Sequence, residues 1–224
     1  MTKPLSACMI SANLGNYDPD VPWPAQIVPP GVTLEIRRLT DANFPPRPKA
    51  MTSRLQVGIP KMFGWQMFPG HDVYIWIDAS RGVIPETLSW FLDKLDHWHA
   101  AEMVVFKHPH RDTVREEYEF VKAKLAKGSK YLTGRYKDEW LDEQFAAVSG
   151  KELPLYASTA FAYRPTPKVQ AALTAWWYHK TRYLLHDQLA FPHVLWQAGV
   201  VRGVLLADVY RCKYLPFVRK QRGT

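Results

Sequence analysis

An aspartate at the end of an apolar run is the clearest candidate for chemistry in this sequence. Asp78 follows the run Tyr-Ile-Trp-Ile and precedes Ala79 and Ser80. A β-branched and aromatic run of this kind is typical of a buried central strand, which would deliver the carboxylate to the edge of a sheet. Because Mg²⁺ and Mn²⁺ prefer oxygen ligands, Asp78 and Ser80 are the candidate metal ligands. The structural alternative is an aspartate that caps the turn after the strand.

A second carboxylate opens a predicted helix near the carboxyl end of the chain. His186, Asp187 and Gln188 precede a largely apolar segment that ends at Trp196. Aspartate is a favourable N-cap residue, which is the structural interpretation of Asp187. The functional interpretation is that a carboxylate at a helix N-terminus acts as a general base toward an acceptor hydroxyl, or holds the acceptor in place. We therefore take Asp187 and His186 as the catalytic candidates.

A basic cluster of His108, His110 and Arg111 lies between a predicted strand and a predicted helix. Cations beside a helix N-terminus suit an anionic ligand, so these residues are candidates for contacting phosphate or an acceptor. Two histidines also suggest zinc, but the segment offers no convincing third and fourth ligand. Glu116 and Glu117, in the first turn of the helix, fit the roles of helix cap and dipole partner.

Two adjacent tryptophans, Trp176 and Trp177, fall on another predicted helix. Spacing from Val169 and Leu173 places one of the two indoles on the apolar face of that helix, so we expect it in the core. The other indole is a candidate for covering a sugar, because aromatic faces stack on apolar ring surfaces. We assign that role to Trp177.

The elements that position these residues alternate between strand and helix. We predict strands over residues 5–10, 32–37, 71–78, 102–106, 155–163 and 201–209, and helices over 53–68, 85–97, 113–127, 168–182 and 187–198. Two proline-rich loops, over 19–31 and 44–48, flank the second strand. The alternation predicts an α/β sandwich with a mostly parallel sheet, whose ligands sit beyond the carboxyl ends of the strands.

Composition limits the class of protein. A chain of 224 residues that is 47% hydrophobic predicts one folded domain over residues 1–224. Cys8 and Cys212 lack a neighbouring Cys or His at metal-ligand spacing, so we expect reduced thiols in the core. No apolar stretch approaches the roughly 18 residues of a membrane span, and the N-terminus lacks a long apolar region. We therefore expect a soluble, cytoplasmic protein of a bacterium or a virus-infected cell. The formal charge of +8 favours an anionic partner, which is a nucleotide diphosphate, a nucleic acid or an anionic glycan.

Four segments, taken in order, resemble a family first catalogued as a domain of unknown function and grouped with plant mucilage-related hexosyltransferases and bacterial glycosyltransferases. They are residues 12–18, 74–80, 107–117, and 176–177 together with 186–196. The resemblance covers most of the chain, but only the catalytic core of the longer plant proteins. It implies a GT-A, Rossmann-like fold and transfer of a sugar from a nucleotide-sugar donor, expected to be UDP-linked, with a divalent cation (Mn²⁺ or Mg²⁺).

The resemblance also implies roles for individual residues. Asp78 and Ser80 match the counterpart of the metal-binding Asp-x-Asp motif, and Asp187 matches the Asp-Gln helix start. Ser80 departs from a full Asp-x-Asp and offers a metal a weaker second ligand. The histidines expected near the last strand are not evident in residues 215–220. We expect the donor to contact Asn13, Gly15, Asn16, Tyr17, Asp18, Arg54, Lys61, Asp78, Ala79 and Ser80.

The acceptor is open between two classes. One is a hydroxymethylated pyrimidine in DNA, toward which the basic charge tilts and which the enzyme would have to flip out of the stack. The other is a glycan, a lipid-linked sugar or a small molecule. A non-catalytic module that binds nucleic acid or polysaccharide on the same fold is the alternative from a different class. The expected contacts with phosphate or acceptor are His108, His110, Arg111, Trp177 and Gln188.

Overall fold

The computed structural model describes residues 3–128, 138–148, 152–183 and 187–218. Within them, one sheet is built from β1 (Leu5–Asn13), β2 (Val32–Thr40), β3 (Val73–Ile77), β4 (Met103–Lys107), β5 (Tyr156–Tyr163) and β6 (Arg202–Leu205). The helices are α1 (Ser53–Met67), α2 (Thr87–His97), α3 (Val114–Ala126), α4 (Asp138–Ala147), α5 (Pro167–Tyr183) and α6 (Asp187–Gln197). No helix in the described part of the chain is long and apolar enough to cross a bilayer.

The strands lie in the order β2-β1-β3-β5-β4-β6. The pairs β1 with β2, β1 with β3, and β4 with β6 are parallel. Among the described strands, β5 alone runs antiparallel, between β3 and β4. The predicted α/β, Rossmann-like sandwich with a mostly parallel central sheet is therefore confirmed. The antiparallel direction of β5 could not be predicted, because residue periodicity carries no information on strand direction.

The order of the strands opens a crevice at one edge of the sheet. The chain passes from β1 outward to β2 and then returns to β3 on the other side of β1. Such a reversal separates the loops that follow the two strands, and ligands of α/β proteins bind in the space between them. Asn13 ends β1, Thr40 ends β2, and Asp78 follows β3, so all three lie at this edge.

Helices cover both faces of the sheet. Buried residues of α1, α5 and α6 pack on one face, where Trp76, Trp176 and Phe191 belong to a single cluster. On the other face the cluster includes Phe91 of α2. The two cysteines are buried free thiols, Cys8 in the first cluster and Cys212 in the second, as predicted.

Several predicted boundaries were wrong. The last strand stops at Leu205 rather than at residue 209, and Leu206 is exposed. β1 and β2 each run three residues further than predicted, because residues 11–13 pair with residues 38–40 in the parallel ladder. The helix α4 was not predicted, since the charged segment from Asp138 has a weak apolar pattern and buries Leu141 only by packing beside α3 and α6.

One predicted helix start is confirmed in detail. The Thr113 hydroxyl accepts a hydrogen bond from the backbone N–H of Glu116 at 3.2 Å, as an N-cap should. The Glu116 carboxylate reaches back one residue further than a capping box requires, to the N–H of Asp112 at 2.6 Å. α3 therefore begins where the sequence predicts, with a displaced reciprocal bond.

Candidate functional site

The two carboxylates singled out in the sequence meet at one buried ammonium group. Lys61 Nζ of α1 lies 3.3 Å from Oδ1 of Asp78 and 3.5 Å from Oδ2 of Asp187. Ser158 of β5 adds its hydroxyl at 3.4 Å. The side chain of Lys61 is only 5% exposed. Residues far apart in the sequence thus form one polar network inside the protein, at the carboxyl end of β3.

Two indoles hold this network in place. Trp76 Nε1 donates to Asp78 Oδ1 at 2.7 Å, and Trp176 Nε1 donates to the backbone carbonyl of Asp187 at 2.8 Å. The Lys61 ammonium lies 5.8 Å from the ring centre of Trp76 and 5.5 Å from that of Trp176. An indole can donate its N–H to an oxygen while the face of its ring attracts a cation, so each tryptophan can contact both an aspartate and Lys61. The network is therefore fixed before any ligand binds.

A second ammonium group, which the sequence did not identify, pairs with Asp187. Lys180 Nζ of α5 lies 2.5 Å from Asp187 Oδ1, and both side chains are largely buried. Burial alone would raise the pKa of the Asp187 carboxyl, but the charges of Lys180, Lys61 and Arg54 outweigh it and hold that pKa well below its ordinary value. Burial also lowers the pKa of Lys180, which Asp187 opposes. Asp187 is consequently a stable anion and a weak proton acceptor.

Three basic side chains act on the carboxylates of the network. Arg54, Lys61 and Lys180 lower the pKa of Asp187, and Lys61 also pairs with Asp78. Charges in a partly buried site are costly unless they are balanced. The cations and carboxylates of the network therefore stabilise one another.

A cleft opens beside the turn that carries Asp78. Its cavity volume is about 20 Å³. Its walls come from the carboxyl ends of β1 and β2, from the loop before β2, and from residues that follow β3. Arg38 on one wall pairs with Asp20 and lies 5.8 Å from the ring of Trp23. Of the predicted donor contacts, Asn13 and Ala79 line this cleft.

The side-chain amide of Asn13 closes the loop after β1. Asn13 Nδ2 donates to the Asp18 carbonyl at 2.7 Å, and Asn13 Oδ1 accepts from the Asp18 N–H at 3.2 Å. Tyr17, between them in the chain, is 54% exposed. The predicted donor loop is thus a rigid rim of the cleft, held in shape by Asn13.

Left-handed backbone lets this loop turn. Gly15 has φ +82° and Asn16 has φ +51°. The N–H of Gly15 donates to Asp41 Oδ2 at 2.6 Å. A Cβ at Gly15 would lie 2.8 Å from the Cβ of Ser53, at the start of α1. Glycine is required there by both the φ angle and the close approach.

Arg81 is the second functional candidate that the sequence missed. It lines the cleft, yet it is only 3% exposed. Its guanidinium lies 5.1 Å from the ring of Tyr210 and 4.9 Å from the ring of Phe217. Within the described residues its Nε has no hydrogen-bond partner. Buried donors are rarely left unpaired in native proteins, so this N–H is a candidate donor to a ligand.

The carboxyl end of the chain holds the turn after β3. The N–H of Val218 donates to the Ser80 carbonyl at 3.0 Å, and the N–H of Gly82 donates to the Pro216 carbonyl at 2.8 Å. This pairing places Phe217 over Arg81. A local pattern could not reveal the burial of Arg81, because the covering residues lie more than a hundred positions away.

The chemistry of Asp78 and Ser80 is compatible with a divalent cation. Both described hydrogen bonds to the Asp78 carboxylate end on Oδ1, which leaves Oδ2 for a ligand. The Ser80 carbonyl is taken by Val218, so its hydroxyl is the group it can offer. Mg²⁺ commonly takes one or two protein oxygens and completes its shell with phosphate and water. The residues present therefore fit such an ion.

The basic cluster after β4 forms a compact turn. His108 is buried, and its Nδ1 accepts from the N–H groups of His110 and Arg111 at 3.3 and 3.1 Å. Arg111 pairs with the buried carboxylate of Glu117. The ring of His110 stacks on Tyr210, with centroids 6.0 Å apart. The cluster thus adjoins the wall that carries Arg81, and no third metal ligand joins the two histidines among the described residues.

The remaining predicted site residues have less direct positions. Trp176 is fully buried and stacks on Phe191 at 4.2 Å, so it is the core member of the tryptophan pair. Trp177 is partly buried and meets Phe63 of α1 edge-on at 5.8 Å. Gln188 is buried in the first turn of α6. His186 lies outside the described residues.

Comparisons with known proteins assign no family. No family model matches the sequence, and no curated protein matches it. Among solved structures, the apo form of mouse xyloside xylosyltransferase 1 is similar, with a TM-score of 0.41 and 12% sequence identity. The match covers 77% of this chain and 63% of that one, so the chain spans less than two thirds of the solved structure. The resemblance to mucilage-related hexosyltransferases accordingly stays a prediction.

Proposed function

We propose that this chain is a glycosyltransferase, which moves a sugar from a nucleotide-sugar donor to an acceptor hydroxyl. The observation that carries the proposal is the joining of Asp78 and Asp187 by the buried Lys61, beside a cleft at the carboxyl edge of the sheet. A fixed group of charges at such an edge suits a polar ligand with a charged leaving group. The proposal treats residues 1–224 as one catalytic domain, and the cytoplasmic location stays a prediction.

The donor is expected to lie along the cleft with its diphosphate near Arg81 and Lys61. The ammonium of Lys61 favours that anion, and the Nε of Arg81, which has no hydrogen-bond partner among the described residues, offers it a donor. Trp23 and Arg38 offer an aromatic and a cationic wall for the nucleoside, which we propose to be uridine. Asn13 keeps the rim of the cleft in shape.

Asp78 Oδ2 and the Ser80 hydroxyl would hold a Mg²⁺ or Mn²⁺ ion. Such an ion would supply positive charge to the diphosphate as it departs. The chain's own contribution is the ammonium of Lys61, which is held 3.3 Å from Asp78 and adds positive charge at the same place. Charge that is already oriented stabilises a leaving group without reorganisation during the reaction.

The surroundings of Asp187 disfavour the predicted general base and indicate that it positions Lys61, a role that the sequence did not predict. A general base works best when its pKa is near the working pH, whereas the pKa of Asp187 is held well below its ordinary value by three cations. Asp187 is bonded to Lys180 and Lys61, so it orients the ammonium that faces Asp78. We propose that Asp187 acts through Lys61 rather than by taking the acceptor proton.

The proposed acceptor is a hydroxymethylated pyrimidine in DNA, and the support is the formal charge of +8. A protein that uses this charge on phosphates should lose affinity for duplex DNA steeply as salt rises. The measurement is duplex binding from low to moderate salt, with a neutral glycan as the comparison. Absence of DNA binding at low salt would leave the glycan or small-molecule acceptor.

The central experiment is release of free nucleotide from a panel of nucleotide sugars in the presence of Mg²⁺ or Mn²⁺. A glycosyltransferase without its acceptor hydrolyses its own donor slowly, so one donor should stand out and its hydrolysis should disappear in Asp78→Asn. Arg115→Gln is the matched control, because Arg115 pairs with Glu152 on the exposed surface. If donors bind but none is ever turned over, the chain is a binding module instead.

A further inference from the structure

A third group of polar side chains lies far from the cleft. Cys8 of β1 and Glu35 of β2 are register partners, and His71 precedes β3. One thiol sulfur, one carboxylate oxygen and one ring nitrogen of these residues all lie within 4.8 Å of one another. Cys8 precedes Asn13 by five residues, which is about 16 Å along a strand. The group therefore belongs to a different part of the sheet from the candidate active site.

The backbone around His71 is tied to β1. The N–H of Ser6 donates to Asp72 Oδ2 at 2.8 Å, and the N–H of Asp72 donates to the Ser6 carbonyl at 2.8 Å. His71 Nδ1 is 2.7 Å from the Ser6 hydroxyl, and His71 Nε2 is 2.6 Å from Oε2 of Glu35. A histidine that binds a metal through one nitrogen usually has a hydrogen bond on the other. Ser6 supplies that bond, which leaves Nε2 beside Glu35.

We propose that Cys8, Glu35 and His71 bind a zinc ion, with water as the fourth ligand. A thiolate, an imidazole and a carboxylate are ligands that Zn²⁺ takes readily, and a thiolate disfavours Mg²⁺ and Ca²⁺. The two negative charges of Cys8 and Glu35 would balance the ion. Tetrahedral zinc needs ligand atoms about 3.5 Å apart, so rotation of the side chains by about an ångström closes the site. The proposal is independent of the proposed glycosyl transfer.

The burial of the three residues allows an ion to enter from one side. Cys8 is fully buried, whereas the side chains of His71 and Glu35 are 13% and 32% exposed. Arg37 also pairs with Glu35, but its side chain is 46% exposed and it can turn to solvent when Glu35 takes the metal.

The protons in this step balance. Burial raises the pKa of the Cys8 thiol to about 12, so the thiol is protonated in the metal-free protein. Zinc displaces the thiol proton to solvent and bonds the resulting thiolate. In the metal-free protein the 2.6 Å contact with the Glu35 carboxylate places the His71 proton on Nε2. When zinc binds, this proton moves through solvent to Nδ1, where it is donated to the Ser6 hydroxyl, and the lone pair of Nε2 bonds the metal. One proton, that of the Cys8 thiol, is released in total.

The test is metal binding by the full chain, purified without a histidine tag. We expect one equivalent of Zn²⁺ by calorimetry, a rise in the unfolding temperature with zinc that is lost in Cys8→Ser, and a cobalt-to-thiolate absorption band when Co²⁺ replaces zinc. Cys8→Ser should abolish the band and weaken zinc binding at least about 100-fold. Cys212→Ser is the matched control, since Cys212 is the other cysteine of the sequence and is also buried.

A second variant distinguishes a loss of zinc binding from a folding defect. His71→Gln should weaken zinc binding as Cys8→Ser does, and circular dichroism establishes that each variant is folded. Zinc binding that is unchanged in both folded variants would overturn the proposal. So would a wild-type protein that takes up no zinc, or a cobalt complex without the thiolate band.

Discussion

The ammonium group of Lys180 lies 2.5 Å from Oδ1 of Asp187, and this ion pair joins the last turns of α5 to the first turn of α6. Both side chains are largely buried, at 5% and 14% exposure. Removing one partner of a buried pair leaves the other charge without compensation. Lys61 shares the same carboxylate, so the pair supports the network around Asp78 as well as the packing of the two helices.

Asp187→Asn should therefore destabilise the protein whether or not it affects turnover. We expect the free energy of unfolding at neutral pH to fall by about 3 kcal/mol, measured by urea denaturation. Asp142→Asn, which breaks an exposed pair with Lys122, should cost less than about 1 kcal/mol. A double variant that replaces both Lys180 and Asp187 by apolar residues should recover part of the loss. Equal small effects of the two single variants would contradict the buried pair.

A buried histidine should make the protein sensitive to mild acid. Burial, and then the charge of His193, lower the pKa of His179 to about 4 from an ordinary value of 6.5. Because the folded-state pKa is depressed, the unfolded chain takes up the proton first, and stability falls as pH drops from about 6.5 toward 4. The contribution approaches about 3 kcal/mol. In His179→Leu the difference in unfolding free energy between pH 7 and pH 4 should shrink by this amount.

Arg81 should contribute to recognition of the donor diphosphate. Arg81→Met removes a guanidinium that lines the cleft and whose Nε has no partner among the described residues, so we expect affinity for a nucleoside diphosphate to fall about tenfold to a hundredfold. Affinity for the nucleoside alone should change little. Arg81→Lys keeps the charge but not the planar donor fork, and should recover only part of the binding. A parallel loss for nucleoside and diphosphate would point to a collapsed cleft instead.

Asp78 should couple donor binding to the divalent cation. In Asp78→Asn we expect that adding Mg²⁺ or Mn²⁺ no longer strengthens donor binding, because a neutral amide oxygen is a poorer ligand than a carboxylate. Titration of the donor with and without metal measures this coupling. Ser80→Ala should reduce the same response less. An undiminished response to metal in Asp78→Asn would remove Asp78 from the metal site.

Gly15 and Gly31 have similar backbone conformations but different surroundings. Alanine substitutions at the two positions therefore separate the cost of a left-handed backbone from that of a steric clash. Gly15 and Gly31 have φ angles of +82° and +76°. A Cβ at Gly15 meets Ser53 at 2.8 Å, whereas a Cβ at Gly31 meets nothing within 4 Å. Gly31→Ala should cost about 1 kcal/mol of unfolding free energy for the left-handed backbone. Gly15→Ala should cost more and should also weaken donor binding, because it displaces the rim of the cleft.

Local sequence patterns were sufficient to predict most of the strands and helices. The apolar run before Asp78 is β3, the threonine at 113 caps α3, and Asp187 begins α6. Each of these features depends on residues within a few positions of one another. The segment that failed, α4, has little apolar periodicity of its own, and its burial depends on neighbours in α3 and α6.

Only some of the polar residues of the site could be predicted from local sequence. Asp78, Asp187 and Lys61 were named from the sequence, but Lys180 and Arg81 were not. Lys180 follows Trp176 at helical spacing, so a lysine on the buried face of α5 was the one signal available. For Arg81 there was no signal, since its cover comes from Tyr210 and Phe217.

The sequence by itself determined the succession of strands and helices and placed Asp78 and Asp187 at the ends of elements, because hydrophobic periodicity and capping are local. Only the tertiary structure decided that one lysine lies between these carboxylates, that β5 runs against its neighbours, and that Cys8, Glu35 and His71 converge. Distances between residues far apart in the chain depend on strand order and helix packing. Neither is encoded within the few residues over which a pattern extends.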